Sequence, residues 1–449
     1  MKENRTKFVA SIAVLLLGLA GTVAVVCFTS SSTVNYSEGV IIDFGDYDID
    51  YVAMDGDLDL DSAFAYACGT LGYYYEEDDG AVVSVNGVSN YGDSSWGLYV
   101  VYSGDTEWTQ IEFGSGTTIS DYAAVCIGYC AEEDEPTPAV DSTGYFYYSY
   151  SSVSRIASLA PSCTETVCAV GGLDLLVGTD MYSNYPDEVV ERQESGEIAI
   201  VGGYTNPSYE VVLKQDPDLV VCVSSQSGHL TIAEKLRSVG INVLVLDGGE
   251  SIEAVLDNIY AMGVVLGAAD MAVAEITSIQ DSMSTVAEMI SNYGFDSEKR
   301  VMIALSAVKS PWVSGGETYV ADVMSMMYMI NIYDGESGWV QVNAETIVKY
   351  DPEVILVVSS DYEATQSEYD TMLEDMTAEW KSTIAYKTGE IYLFAGAAAD
   401  CVSRPGPRVA ELAELLALAV YGEAFDVDLP KYVGDNYTDY LTISREEDD

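Results

Sequence analysis

Residues 208–225 read SYEVVLKQDPDLVVCVSS, and residues 343–360 read NAETIVKYDPEVILVVSS. Aligned without gaps they are identical at Glu210/Glu345, Lys214/Lys349, Asp216/Asp351, Pro217/Pro352, Val223/Val358, Ser224/Ser359 and Ser225/Ser360. Each copy reads as a short helix, a stop at an Asp-Pro pair, and an apolar run with the look of a buried strand. A helix–strand unit that recurs along one chain predicts two related α/β lobes.

The surroundings of the two copies agree. Apolar β-rich runs at 155–159, 219–223, 242–246, 300–305, 354–358 and 391–394 alternate with helical stretches such as 251–266 and 406–421. That alternation is the signature of α/β layering with mostly parallel sheets. Between the two sets lies one long helical stretch, 268–294. The expected fold is two Rossmann-like lobes, 139–267 and 296–425, joined by that helix. Open α/β sheets bind ligands beyond the carboxyl ends of their strands, so two facing lobes define one cleft. The remaining residues, 426–449, read as an acidic tail.

Composition narrows the function. Lys and Arg number 18 against 73 Asp and Glu, a formal net charge of −55. Such a surface repels phosphate backbones and anionic headgroups, which excludes nucleic acid as a partner. With 49% hydrophobic and 11% aromatic residues, the chain is too apolar for an acidic disordered polymer. The only histidine is His229. His-based triads, multi-His metal sites and His acid/base pairs therefore lack material, no catalytic or metal-binding set emerges, and an enzyme is not expected. His229 follows an expected strand end; it reads as a loop histidine, with ligation of cobalt or haem iron the sharper alternative.

Lys2, Arg5 and Lys7 precede an uncharged run over residues 8–28, the length of a membrane-spanning helix and longer than the apolar core of an ordinary cleaved signal. The basic flank stays inside and the remainder is exported. Residues 29–33, rich in Ser and Thr, read as a spacer. Cleavage near Ala24 is the alternative, and the bulky Val25-Val26 pair disfavours lipidation of Cys27.

No Lys, Arg or His occurs between residues 8 and 154. Residues 34–138 carry short alternating segments at 81–85, 96–102 and 120–129, turn signals such as Asn86-Gly87, and one helical stretch at 62–71. This is a small β-rich α+β domain, closed by a charged, Pro-bounded linker at 132–138. Asp55, Asp57, Asp59 and Asp61 alternate like calcium-loop ligands, yet Tyr66 stands where the closing Glu belongs, so a solvated acidic edge is expected. Among the eight cysteines, Cys68 is placed to reach Cys126 or Cys130, whereas Cys163 and Cys168 share a helix and cannot pair. Met324, Met326, Met327 and Met329 read as lobe core.

Two stretches carry a likeness to a known family. Arg155-Ile-Ala-Ser-Leu-Ala-Pro-Ser-Cys-Thr-Glu165 and Gly178-Thr-Asp-Met-Tyr182-Ser-Asn-Tyr185-Pro186 resemble the start of helix-backbone periplasmic binding proteins, the receptors of ABC importers for cobalamin, haem and iron–siderophores. The resemblance runs from about residue 139 to 425, and within the family it is nearest to the cobalamin receptors. It implies a ligand cleft at Tyr182, Tyr204, Trp312, Trp339, Asp400 and Arg404, although one cleft aromatic of that family falls on Val223. A corrin is a broad apolar disc edged by amides, so flat aromatic faces with a few polar groups suit it. The resemblance also implies that Glu210 and Glu345, one per lobe, dock on arginines of a permease that works with its ATPase. Glu in a first helical turn also complements the helix dipole, which is the plainer reading.

A shorter resemblance covers the β-rich domain. Residues 59–69, Val83-Ser-Val-Asn86-Gly87 and Ser95-Trp96-Gly-Leu-Tyr-Val look like the small β-domain that closes over cobalamin in eukaryotic carriers. It implies Asn86 and Trp96 as ligand contacts; on its own, Trp96 reads as core. The expectation is an externally facing, membrane-anchored receptor that captures cobalamin or cobinamide for an ABC importer. Haem or an iron–siderophore is the alternative ligand, and a surface adhesin or sensor the alternative class.

Overall fold

Both copies of the repeat end in strands that are wholly buried, Leu219–Val223 and Val354–Val358. In this computed structural model each strand is preceded by a short helix, Tyr209–Lys214 or Ala344–Tyr350. The helices are capped alike, Ser208 accepting from Val211 N–H and Asn343 from Thr346 N–H. Asp216 and Asp351 stop them in the left-handed region, at φ +50° and +48°. Proline disfavours the right-handed helical region for its predecessor, and aspartate tolerates the left-handed one. An arginine then closes each copy. Arg155 Nε donates to Asp216 O at 2.8 Å, and Arg300 Nε and Nη2 donate to Asp351 O at 3.2 and 3.1 Å.

The structure describes residues 39–44, 49–54, 58–78, 80–92, 94–102, 108–114, 116–122, 124–131, 136, 153–295 and 297–443. The expected anchor at 8–28, Asp55, Asp57 and most of the 132–138 linker lie outside them. Among the described residues no helix is long and apolar enough to cross a membrane.

The first lobe holds five parallel strands in the order Ala199–Ile200, Leu176–Thr179, Ile156–Ser158, Leu219–Val223, Asn242–Leu246. The second runs Trp339–Gln341, Trp312–Ser314, Lys299–Ala304, Val354–Val358, Ile391–Phe394, Tyr432–Val433, with Met329–Asn331 also paired to Lys299–Ala304. Its first two strands are antiparallel additions to an otherwise parallel sheet. The linking helix, Ala269–Tyr293, has 25 residues and a length of about 37 Å. Ile276, Ile279, Met283, Val286 and Ile290 recur at steps of three and four and bury one face in an apolar core that continues through both lobes. Met324, Met327 and Met329 fill the same core, with Met326 half-buried against it.

The acidic-tail expectation is corrected for residues 426–443. Tyr432–Val433 extends the second sheet, Lys431 pairs with Glu390 at 2.8 Å, and Tyr437 is buried. Glu414, itself buried, accepts from Thr442 N–H at 2.6 Å, so this stretch is part of the lobe.

In the β-rich region the strands Ile49–Ala53, Gly39–Asp43, Ala124–Ala131, Ser94–Val101 and Thr109–Ile111 form one sheet, and Tyr75–Asp78, Ala81–Val85 and Val88–Ser89 a small meander. Helix Leu60–Leu71 covers one face. The disulfide expectation fails for a geometric reason. Side chains alternate along Ala124–Ala131, so Val125 and Ile127 face the core that holds Cys68, while Cys126 and Cys130 face the opposite side. None of the three is in a disulfide, all are buried, and burial pushes the Cys68 thiol up to about 12. Asp59 caps the helix through Ser62, and Asp61 accepts from Gly114 N–H, so these two aspartates serve the backbone.

The lobes are fastened by a buried charge cluster. Glu165, on helix Pro161–Ala169 of the first lobe, receives Arg404 Nη1 at 2.9 Å and Arg408 Nη2 and Nε at 2.7 and 2.9 Å from the second. Truncating one partner of such a buried set leaves uncompensated charge, at about 3–5 kcal/mol. Glu165→Ala is therefore expected to lower the urea stability by about that amount and Glu165→Gln by less. A loss below about 1 kcal/mol for Glu165→Ala would show that the cluster does not hold the lobes.

Candidate functional site

Tyr182 follows strand Leu176–Thr179 in a turn built on Asp180. That buried carboxylate accepts from Tyr182 N–H at 2.9 Å and Ser183 Oγ at 2.5 Å, and burial raises its pKa against these hydrogen bonds. Tyr182 is 56% exposed. Its carbonyl accepts from Arg404 Nη2 at 3.1 Å, and Asn184 links Arg404 Nη1 to Asp400 Oδ2 at 2.7 and 2.9 Å. Arg404 Nη2 also meets Asp400 at 2.7 Å. Tyr182, Asp400 and Arg404 are thus brought together across the lobes. The two charged groups, expected to bind ligand amides, spend much of their hydrogen-bonding capacity on one another and on the first lobe.

Tyr204 sits at the tip of a hairpin whose arms are Gly202–Gly203 and Asn206–Pro207. Met181 N–H donates to Gly202 O at 2.9 Å, so the Tyr182 turn and the Tyr204 hairpin adjoin. Tyr204 is half-buried, with its ring edge-to-face with His229 at 5.5 Å. His229 corrects its expectation: it is fully buried in helix Ser227–Arg237, not in a loop. Val223 N–H donates to Nδ1 at 3.3 Å, which leaves the proton on Nε2, 2.7 Å from Tyr204 O. Burial lowers its pKa, partly offset by the Tyr204 carbonyl. With both nitrogens engaged, the ring offers no lone pair to a metal.

Trp312 and Trp339 come from neighbouring antiparallel strands, Trp312 opposite Gln341 and Trp339 opposite Ser314. Directly opposed residues share a face, so the two rings are diagonal neighbours on it. Trp312 is 49% exposed, while Trp339 is half-buried against the inter-lobe core. Gly315 makes this approach possible, since a Cβ there would collide with the carbonyls of Glu336 and Gly338. Among the described residues no hydrogen bond or ring contact joins the tryptophans to the tyrosines, which stand on the other lobe.

Glu210 and Glu345 are both exposed, each in the first turn of its repeat helix and each on its own lobe. In the β-rich region the two expected contacts separate. Asn86 is exposed in a tight turn at φ +47°. Trp96 is corrected to a core residue: it is 5% exposed, its Nε1 donates to Val88 O at 2.8 Å, and it packs on Phe44 and Tyr129.

Glu165 and Arg408 were not singled out by residue type. Arg408 lies over the Tyr185 ring at 4.4 Å and donates to Tyr437 at 3.2 Å; Tyr437 in turn donates to Glu411. Burial alone would lower the Arg408 pKa, and the charge and hydrogen bonds of Glu165 reverse this and hold it well above the ordinary value. The available signal was that Glu165 is the only charged residue between Arg155 and Asp174. A lone charge in so apolar a stretch needs a partner. A cavity of about 360 Å³ lies beside Glu165, Arg408, Tyr185 and the linking helix, and none of Tyr182, Tyr204, Trp312 or Trp339 lines it.

A family profile described as "Periplasmic binding protein" matches residues 156–397. The chain is 28% identical over 272 residues to YvrC, an ABC transporter substrate-binding lipoprotein of Bacillus subtilis, covering 60% of this chain and 81% of that one. It is 26% identical to a cobalamin-binding protein of Halobacterium salinarum over 57% of this chain and 66% of the relative. It is 25% identical to a vitamin B12-binding protein of Vibrio cholerae, over 58% and 86%. Among solved structures, a periplasmic heme-binding protein from Pseudomonas aeruginosa superposes with a TM-score of 0.53 at 21% identity, over 60% of this chain and 93% of that one. That likeness is one of fold.

The unequal burial of the tryptophans is testable without a ligand. Trp312→Ala is expected to change urea stability by no more than about 0.5 kcal/mol, and Trp339→Ala to cost about 1–3 kcal/mol through its half-buried ring. Equal losses would place both rings in the core.

Proposed function

Because the chain belongs to the periplasmic binding protein family, we propose that it serves as the substrate-binding protein of an ABC importer and takes a corrinoid, cobalamin or cobinamide, in its inter-lobe cleft. The observation that carries this reading is the presence of two half-buried or exposed tryptophans on one lobe and two half-buried or exposed tyrosines on the other. A corrin presents two broad apolar faces, and large flat rings remove them from water more effectively than small side chains do. The cobalamin-binding and vitamin B12-binding relatives support the same ligand class. Haem is the competing disc; the full engagement of His229 removes the only imidazole that would ligate its iron. No bond is made or broken in this role.

Asp400 and Arg404 support a rim function, in which Arg404 shapes the cleft and Asp400 keeps 23% of its side chain exposed for a peripheral amide. Residues 8–28 tether the chain to the membrane and the lobes work outside it. Glu210 and Glu345 meet basic groups on the permease, one per lobe, and so orient the receptor on its translocation path. Exposed pairs of this kind govern encounter and register more than affinity.

Residues 34–449 are expected to bind cobalamin or cobinamide with sub-micromolar affinity by calorimetry, and Trp312→Ala and Trp339→Ala each to weaken binding about three- to tenfold. Binding of haem with no heat from either corrinoid would overturn the ligand assignment.

Docking has its own test. The Glu210→Ala/Glu345→Ala double variant should keep its corrinoid affinity yet lose stimulation of the permease ATPase. Raised salt should mimic that loss in the wild type, since exposed charges are screened over about 8 Å at physiological ionic strength. A double variant that stimulates fully would remove the docking role.

A further inference from the structure

We infer that His229 is a positioning residue for the ligand cleft: with Gly228 it forms a seat that holds the hairpin tip carrying Tyr204, and so sets ligand affinity without touching ligand. The inference rests on the reading of Tyr204 as a cleft contact.

The hairpin has only two paired residues per arm, Gly202↔Pro207 and Gly203↔Asn206. An isolated ribbon of that size is not stable by itself, and its tip needs an external hold. Two features of the first turn of helix Ser227–Arg237 supply one. Gly228 comes so close that a Cβ there would lie 3.1 Å from Thr205 O, which makes room for the tip against the helix backbone. His229 then donates from Nε2 to Tyr204 O at 2.7 Å and places its ring edge-to-face with the Tyr204 ring, at 85°. On its other side Nδ1 accepts from Val223 N–H, at the carboxyl end of the fully buried strand Leu219–Val223. The imidazole therefore bridges the tip of a short hairpin to a fully buried strand of the sheet.

A neutral imidazole is suited to this place because one edge accepts while the other donates. A side chain with a donor alone would leave Val223 N–H unpaired, and an apolar one would leave both Val223 N–H and Tyr204 O unpaired. Lodged between strand and hairpin, the ring also restricts the rotation of Tyr204, so the aromatic face is presented before ligand arrives. Such preorganisation raises affinity by lowering the ordering cost of binding.

The test uses the full-length chain in detergent. His229→Phe keeps a ring and loses both hydrogen bonds; His229→Gln keeps one donor and one acceptor. Cobalamin affinity is expected to fall about tenfold in His229→Phe and to recover to within about threefold in His229→Gln. In a Tyr204→Ala background the His229→Phe change should add less than about twofold, the non-additivity expected of residues acting through one another. Equal losses in both backgrounds, or unchanged affinity in His229→Phe, would overturn the inference. A second arm needs no ligand. As the only histidine, His229 gives a single pair of imidazole nitrogen signals, expected to show Nε2 protonated at neutral pH and Nδ1 bare. Amide exchange at 202–207 should quicken in His229→Phe. If the wild type binds neither corrinoid nor haem, the ligand reading fails, and this arm still decides the seat: an Nδ1-protonated ring, or unchanged exchange, overturns it.

Discussion

A carboxylate withdrawn from water must be answered by positive charge and hydrogen bonds, or it will take up a proton. Glu165 is 3% exposed, and both of its oxygens are answered by arginines from the opposite lobe. Much else hangs on the same two arginines. Arg404 also holds the Tyr182 carbonyl and Asn184, so a first-lobe turn is held in place by a second-lobe residue. Arg408 also reaches Tyr437 and through it Glu411, which recruits residues 426–443 to the lobe. One buried anion thereby couples inter-lobe geometry, the Tyr182 turn and the seating of the C-terminal segment.

The lobes meet through more than charge. Asp322 of the second lobe accepts from Ile252 N–H at 2.9 Å, and Tyr319 N–H donates to Gly249 O at 3.1 Å. The apolar core that runs along the linking helix belongs to both lobes at once. A wide swing of one lobe would expose that core and break these bonds, so the relative placement of the lobes is largely fixed. On the proposed reading, ligand recognition would then depend on small adjustments of exposed rings such as Tyr182 and Trp312, and on how firmly the Tyr204 hairpin is held.

The net charge of −55 gives this receptor a strongly anionic surface, which favours a neutral or cationic ligand over an anionic one at long range. It also makes any contact with a permease depend on basic groups contributed by that partner. The β-rich region obeys a separate logic. Trp96 closes its own core against Phe44 and Tyr129, so whatever the region contributes outside must come from exposed groups such as Asn86 and Tyr91.

Much of the architecture was legible from local pattern. The repeat predicted two matched lobes because Asp-Pro stops a helix through steric rules that act within a few residues, and a run such as Val354–Val358 has no stable place except a buried strand. The linking helix, found at Ala269–Tyr293, was set by apolar periodicity in the same way. The site was less legible. Tyr182, Tyr204, Trp312 and Trp339 were chosen by residue type and family likeness, but only the folded chain decides that Trp312 is open and Trp339 half-buried, or that Trp96 lies inside its own domain. Glu165 and Arg404 are far apart in sequence, and so are Tyr204 and His229; their pairings depend on which strand lies beside which. Sequence by itself determined the short-range propensities and the burial of apolar faces. Tertiary structure alone decided which buried polar groups find one another, because that is fixed by distances across the chain, to which local composition is blind.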